Sequence, residues 1–336
     1  MATLSDVASR AGVSVSAVSR VLTGAAGARV SDATRQRIRD AARELDYRPN
    51  HAARALKLAR TNVIALVVPD LPNAIVSDLL RGVQDEGHDR GYMVLLARAE
   101  SELEGYALPR LLGEGRIDGA LVQAGDATPP AELREQIDEG LPVVYVNSNH
   151  PDDAGFVDLQ DELGAAVATR HLVDLGHERI AFVGGLPSSV TGRRRVAGFR
   201  EAMADARLPV DEALVTDLGY ELTAGRTAVG RILEQRARPS AIVAANINAG
   251  FGVLLELRSR GLIVPDDVSV VAIHDAWTAD STWPPLTTVR MPRYELGRAA
   301  MAALYERIRG GSVPRVVVSD PPPELIPRES TAPAAH

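Results

Sequence analysis

The strongest constraint on this 336-residue chain is a repeated alternation of short apolar runs and helix-length spacers. "NVIALVV" (62–68), "YMVLLA" (92–97), "GALVQA" (119–124) and "PVVYVN" (142–147) form one set. Spacers such as "IVSDLLRGVQDEGHDRG" (75–91) carry a helical pattern. A second set follows: "IAFVGG" (180–185), "AIVAAN" (241–246) and "VSVVAI" (268–273). Continuous β-branched strands alternating with helices specify a parallel sheet covered on both faces. Two such sets predict two α/β lobes. "TTVRMP" (287–292) and "VVVSDP" (316–321) predict that the chain crosses back late, leaving each lobe discontinuous.

The first sixty residues break this pattern. They carry 11 Lys and Arg against 5 Asp and Glu, whereas the remainder carries 26 against 39. A basic end on a chain of net charge −7 is an electrostatic pointer to nucleic acid. Three short helices are predicted there. Thr3 and Asp6 read as a capping pair, and Leu4, Val7, Ala8 and Ala11 share a face. Gly12 supplies a tight turn and Ser14 an N-cap for a helix over about Val15 to Leu22, with Val18 and Leu22 facing inward. A third starts at Ser31 and buries Ile38, Ala41, Ala42 and Leu45.

Two short helices around a glycine turn, braced by a third, match the helix-turn-helix plan, in which the second helix enters the major groove. That explains an odd feature of "GVSVSAVSRVL" (12–22), a helix written in valine and serine despite their poor propensity. Small outward side chains fit a groove about 12 Å wide, and Val15 and Ser16 lie at its leading edge. Thr3, Ser14, Ser19 and Arg20 complete the candidate DNA-facing set of the headpiece. Next, "NHAARALKLARTN" (50–62) is too short and basic for an isolated helix, but phosphates can order it. Its candidates are Asn50, Arg54 and Lys57, with Leu56 as a minor-groove wedge.

"TLSDVASRAGVSVSAVSRVLTG" (3–24) and "VSDATRQRIRDAARELDYRPNHAARAL" (30–56) resemble the DNA-binding headpiece and hinge of the lac repressor (LacI/GalR) family. "HLVDLGHERIAFVGG", "RRRVAGFREAM", "VSVVAIHD" and "PPLTTVRMPRYELG" follow in that family's order, so the resemblance spans nearly the whole chain. It implies an α/β protein with a helix-turn-helix headpiece (1–48), a hinge (49–61) and a bilobed periplasmic-binding-protein-like core (62–336). The N-lobe is expected over about 62–159 and 290–320, and the C-lobe over about 160–289 and 321–330. The implied partners are double-stranded operator DNA, a small-molecule effector in the cleft and a second copy of the chain.

Ligands of open α/β sheets bind beyond the carboxyl ends of strands. That rule nominates Leu71 and Asn73 after the first strand and Gln123 after the third. In the second set it nominates Ser189, Thr191 and Arg195, then Asn246, then His274. The resemblance makes Arg195 the arginine that pins the effector, Thr191 a polar contact and Tyr220 a stacking aromatic. It also exposes departures. Ile247 and His274 stand where relatives carry ligand-binding acids, and Met291 stands where sugar repressors present an amide. Carboxylates suit sugar hydroxyls because each oxygen accepts two donors. Their loss points to an effector with an apolar part and a negative charge, held by Arg195 and His274. Asp275 and Asn248 are the nearby substitutes for the missing contacts.

Enzyme signatures are missing from the sequence. No metal-binding HExxH, G-x-S-x-G elbow or GxxxxGK[ST] loop occurs, and no cofactor is expected. His171 and His177 are expected to be structural. A solute-binding protein would share the core but requires a leader, and "MATLSDVASRAG" is not one. No apolar run approaches the roughly 18–20 residues of a membrane span. The chain lacks cysteine, which fits the cytoplasm. The Pro-rich end, "SDPPPELIPRESTAPAAH", has no leucine heptad for a tetramerising coiled coil, so a homodimeric transcriptional repressor is expected.

Overall fold

The computed structural model describes residues 2–22, 30–47, 60–69, 74–98, 115–124, 140–152, 154–235, 238–312 and 314–334. The chain divides into two compact units, 1–61 and 62–336.

The first unit contains α1 (Leu4–Ala11), α2 (Val15–Leu22) and α3 (Asp32–Glu44). Each starts on a side-chain cap. Thr3 and Asp6 form a reciprocal capping box, Ser14 Oγ accepts from the Ala17 N–H at 3.3 Å, and Ser31 Oγ accepts from the Thr34 N–H at 3.2 Å. Gly12 ends α1 in the left-handed region at φ 64°, which lets the chain turn directly into α2. Val7, Val18 and Ile38 meet in a small core with the buried Val21. Leu22 only packs at its edge, so Val21 is the deeper of the two.

The second unit has two lobes. In chain order it contains β1 (Val63–Val68), α4 (Val76–Asp89), β2 (Met93–Arg98), β3 (Gly119–Val122), β4 (Val143–Val146) and β5 (Gly155–Leu159). Next come α5 (Asp161–Asp174), β6 (Ile180–Val183), α6 (Val190–Asp205), β7 (Val215–Thr216), α7 (Leu222–Leu233) and β8 (Ala241–Ala244). The chain closes with α8 (Ile247–Ser259), β9 (Ser269–Ile273), β10 (Thr287–Arg290), α9 (Arg293–Ile308), β11 (Arg315–Val318) and β12 (Glu324–Ile326). The N-lobe sheet runs β11-β5-β4-β3-β1-β2, all parallel. The C-lobe sheet runs β12-β10-β9-β8-β6-β7, with only β12 antiparallel. The chain therefore crosses between lobes three times: after β5, after β10 and after β11. Strands β5, β7 and β12 are additions to those read from the sequence.

Glycines set the helix packing. On α4 and α9, Gly82 abuts the Tyr294 carbonyl and Gly297 the Leu79 carbonyl, with no room for a Cβ at either. Gly198 of α6 lies equally close to the Glu162 backbone of α5. One buried apolar cluster runs from Ile64 and Leu66 of the N-lobe through Met291 to Phe182 and Phe199 of the C-lobe.

The C-terminal segment is strapped onto the C-lobe. Ser330 Oγ donates to the Val270 carbonyl, and the Ala334 N–H donates to the Leu175 carbonyl at 2.9 Å. His177 Nε2 lies 3.0 Å from the Ala332 carbonyl, and His171 Nε2 lies 3.0 Å from Thr331 Oγ1. Both histidines thus hold the strap.

Candidate functional site

The carboxyl ends of both sheets converge on one cavity of about 150 Å³. Pro69 follows β1, Gln123 and Ala124 follow β3, and Asn147 follows β4. From the C-lobe come Thr191, Arg195, Tyr220, Asn246 and His274, and Arg293 enters from the crossover after β10. Glu221, Ile75 and Val76 complete the lining.

Six of the ten effector candidates line this cavity: Gln123, Thr191, Arg195, Tyr220, Asn246 and His274. Ser189 sits one step behind, capping α6 through the Gly192 N–H and touching Thr191 Oγ1 at 2.8 Å. Met291 does not line it. Its thioether fills the space above Gly164, where a Cβ would lie 2.6 Å from the sulfur, so it belongs to the interlobe core. Leu71 and Asn73 lie outside the described residues, as do the hinge candidates Asn50, Arg54, Leu56 and Lys57. Asp275 is occupied by Thr288, Arg290 and Arg328 and is no substitute ligand. Asn248 is not part of the lining either.

Arg195 is held more tightly than its sequence position implied. Its Nε and Nη2 both reach Asp161 Oδ1, at 2.8 and 2.7 Å, and Nη1 donates to the Ala245 carbonyl at 2.7 Å. Nη2 also lies 2.9 Å from His274 Nε2. The guanidinium stands 5.4 Å from the Tyr220 ring centroid, and the Tyr220 hydroxyl meets Thr191 Oγ1 at 2.9 Å. Asp161 therefore neutralises Arg195 within the protein.

The remaining cation is Arg293, which the sequence reading passed over. It is 4% exposed, and its Nε donates to the Ile75 carbonyl at 2.7 Å. Its Nη2 has no hydrogen-bond partner. Burial first, then repulsion from Arg195, lowers its pKa to about 10 against the pull of Asp161 and Asp78. His274, buried and left-handed at φ 67°, is held well below the ordinary imidazole pKa by burial, then by Arg195 and Arg293. It is neutral at physiological pH. Guanidinium only donates, so His274 Nε2 accepts and the ring hydrogen sits on Nδ1. Nδ1 is buried with no partner.

Two carboxamides are oriented by the backbone. Asn147 Oδ1 accepts from the Leu159 N–H at 2.8 Å, and Asn246 Oδ1 accepts from the Ala249 N–H at 2.8 Å. A backbone N–H cannot accept, which fixes which side-chain atom is oxygen. Both lining residues thus leave their NH2 groups for other partners. The lobes are also clasped beside the cavity. Asn149 Nδ2 donates to the Ser188 carbonyl at 3.0 Å, and the Val190 N–H donates to Asn149 Oδ1 at 2.8 Å. Arg194 Nη1 reaches the buried Asp158 of β5 at 2.8 Å.

In the headpiece, α2 leaves Val15 46% exposed with Ser16 and Arg20 beside it on the outer face. Arg20 Nε donates to the Ser16 carbonyl at 3.2 Å, and Ser14 Oγ meets Ser16 Oγ at 3.1 Å. Thr3 is a helix cap, and Ser19 is half-buried.

A helix-turn-helix unit joined to a bilobed, parallel-sheet core with a ligand-sized cleft defines a class: DNA-binding regulators built on a periplasmic-binding-protein-like core. Residues 3–50 match the family described as bacterial regulatory proteins, lacI family, and residues 169–331 match the periplasmic binding protein-like domain. The chain is 33% identical to the HTH-type transcriptional regulator DegA of Bacillus subtilis over 98% of both chains. It is also 33% identical to the HTH-type transcriptional repressor PurR of Vibrio parahaemolyticus over 92% of both. Among solved structures it resembles a CelR–cellobiose complex, with TM-score 0.74, 32% identity and coverage of 98% and 100%. It also resembles the lac repressor dimer bound to operator and the anti-inducer ONPF, with TM-score 0.81, 25% identity and coverage of 98% and 99%. The chain belongs to the LacI family of DNA-binding transcriptional regulators and is not an enzyme.

Proposed function

We propose that this chain is a cytoplasmic, homodimeric repressor whose operator affinity is set by a small molecule in the cleft. The observation that carries this is the exposed Val15–Ser16–Arg20 face of α2 on a basic headpiece, in one chain with a polar interlobe cavity. Val15 and Ser16 are suited to thymine methyls and base edges, and Arg20 to guanine or phosphate. Thr3, Ser14 and Ser19 flank that face, and Asn50, Arg54, Leu56 and Lys57 are the proposed hinge contacts. A dimer sets two α2 helices in successive major grooves of a near-palindromic site. The edge strand β2, with Met93 72% and Leu95 42% exposed, supports burial against a second copy. The effector is a sugar or sugar derivative, a class that includes anionic and nucleoside-like members. The cellobiose and anti-inducer named with the two solved relatives support this use of the cleft. Effector and operator affinities are then coupled reciprocally, by about 1–3 kcal/mol.

A gel shift on operator fragments selected by the full chain tests the reading. The full chain binds with a steep salt dependence. The chain truncated to 62–336 and the Arg20→Ala variant lose specific binding. Equal binding by the truncated chain contradicts the proposal.

A further inference from the structure

The effector cavity gathers buried hydrogen-bond donors that lack partners, beside Gln123, Thr191, Tyr220 and Glu221, which can also accept. Asn147 and Asn246 each accept a backbone N–H on the side-chain oxygen, which leaves both NH2 groups to donate. Arg195 fixes the tautomer of His274, so the ring's remaining nitrogen is an N–H donor with no partner. Arg293 Nη2 is a second buried donor with no partner, and among the described residues Asp161 and Asp78 act on Arg293 through charge without a direct ion pair. Glu221 is the one carboxylate among the described lining residues.

At the unpartnered donors of Arg293 and His274 a neutral hydroxyl is a poorer match than an anion. Each hydroxyl of a sugar brings one donor hydrogen, and that hydrogen needs an acceptor once water is excluded. A carboxylate or phosphate brings acceptors only, and it neutralises a cation whose burial is otherwise costly. A guanidinium that is 4% exposed and has an Nη2 without a protein partner is costly to bury, and that cost suits a binding site better than a structural one.

We infer that the effector is a compact acid whose carboxylate or phosphate group seats against Arg293 and His274, with the Asn147 and Asn246 amides donating to its remaining oxygens. Arg195 is a positioning residue: it sets the His274 tautomer and carries no free charge to the ligand. This rests on the reading of the cleft as the effector site and names its ligand class.

The test is a thermal-shift screen of the full chain, followed by calorimetric titration, with matched neutral and anionic compounds. The probes are D-glucose, D-galactose and D-ribose against D-gluconate, D-galacturonate, D-glucose 6-phosphate and D-ribose 5-phosphate. Binding confined to acids is expected, and the carboxylate and phosphate arms tell which group the site takes. Arg293→Gln then weakens the bound acid at least tenfold, and His274→Asp, which places a carboxylate against the incoming anion, does the same. A cooperative thermal melt and an unchanged far-UV circular dichroism spectrum show that both variants fold. Tighter binding of a neutral sugar than of any acid, or an acid affinity unchanged in Arg293→Gln, overturns the inference while leaving the cleft an effector site. Failure of every compound to raise the melting temperature counts against the effector reading itself. Arg293→Met separates a structural role: the apo variant melts at or above the parent if Arg293 awaits an anion. It melts well below the parent if Arg293 serves only to anchor Ile75, and that result contradicts the assignment.

Discussion

At the scale of single residues, the two functional surfaces differ in how they are built. The α2 face uses short side chains, so the proposed direct readout would rest on methyl contacts, one hydroxyl and Arg20. Replacing Val15 and Ser16 together by alanine should alter the ranking of base-substituted operators while leaving the salt slope of binding nearly unchanged. An unchanged ranking across such a panel removes them from base readout. The cleft instead uses residues locked by their neighbours. Arg195 illustrates what a sequence position conceals. Its place after β6 was legible, but its neutralisation by Asp161, 34 residues earlier, depends on how α5 packs on α6. Arg293 was missed for a related reason. It follows β10 as the chain changes lobes, so it reaches the cavity by the strand-end rule, two residues beyond Met291.

At the scale of elements, the repeated strands were readable because buried parallel strands are uniformly apolar, as in "IAFVGG" and "AIVAAN". The strands that were overlooked are peripheral or irregular. β7 has two residues, and β12 lies in a Pro-rich stretch that reads as coil. β5, "GFVDL", carries the buried Asp158 at its fourth position, which breaks the apolar signature. Asn147 ends the "PVVYVN" run, and its place in the cavity follows only from β4 lying between β3 and β5. The headpiece makes a sharp element-scale prediction. Ile38 is fully buried where three short helices meet. Ile38→Ala should cost about 2–5 kcal/mol, a large share of a small unit's stability. Urea denaturation followed by circular dichroism should show the headpiece unfolding early, with specific operator binding lost. An unchanged first transition contradicts the packing described.

At the scale of the whole molecule, the lobes are coupled by the Asn149 clasp and the Arg194–Asp158 pair. Asn149→Ala removes two interlobe hydrogen bonds, each worth about 0.5–1.5 kcal/mol net. Effector affinity should fall several-fold, because part of the binding energy must then restore closure. Equal affinity by calorimetry contradicts a role for the clasp. Stability should also respond to pH. Burial lowers the pKa of His171 and His177 in the folded chain, and that of His274 strongly, from the ordinary 6.5. Below about pH 6.5 the unfolded chain therefore binds protons that the native chain refuses, and stability falls with pH. Burial raises the pKa of Asp158, which works in the opposite sense, but three histidines outweigh one carboxylate. The melting temperature should drop between pH 7.5 and 5.5. A flat or rising profile contradicts the strap and cavity assignments.

In the proposed function, one ligand in the cleft and one operator on the headpiece act on the same conformational equilibrium. Fluorescence anisotropy of a selected operator, titrated with the full chain with and without a saturating acid effector, tests this most directly. The two isotherms should separate by about 5–150-fold in Kd, as a coupling of 1–3 kcal/mol requires. Superimposable isotherms at saturating ligand would contradict it.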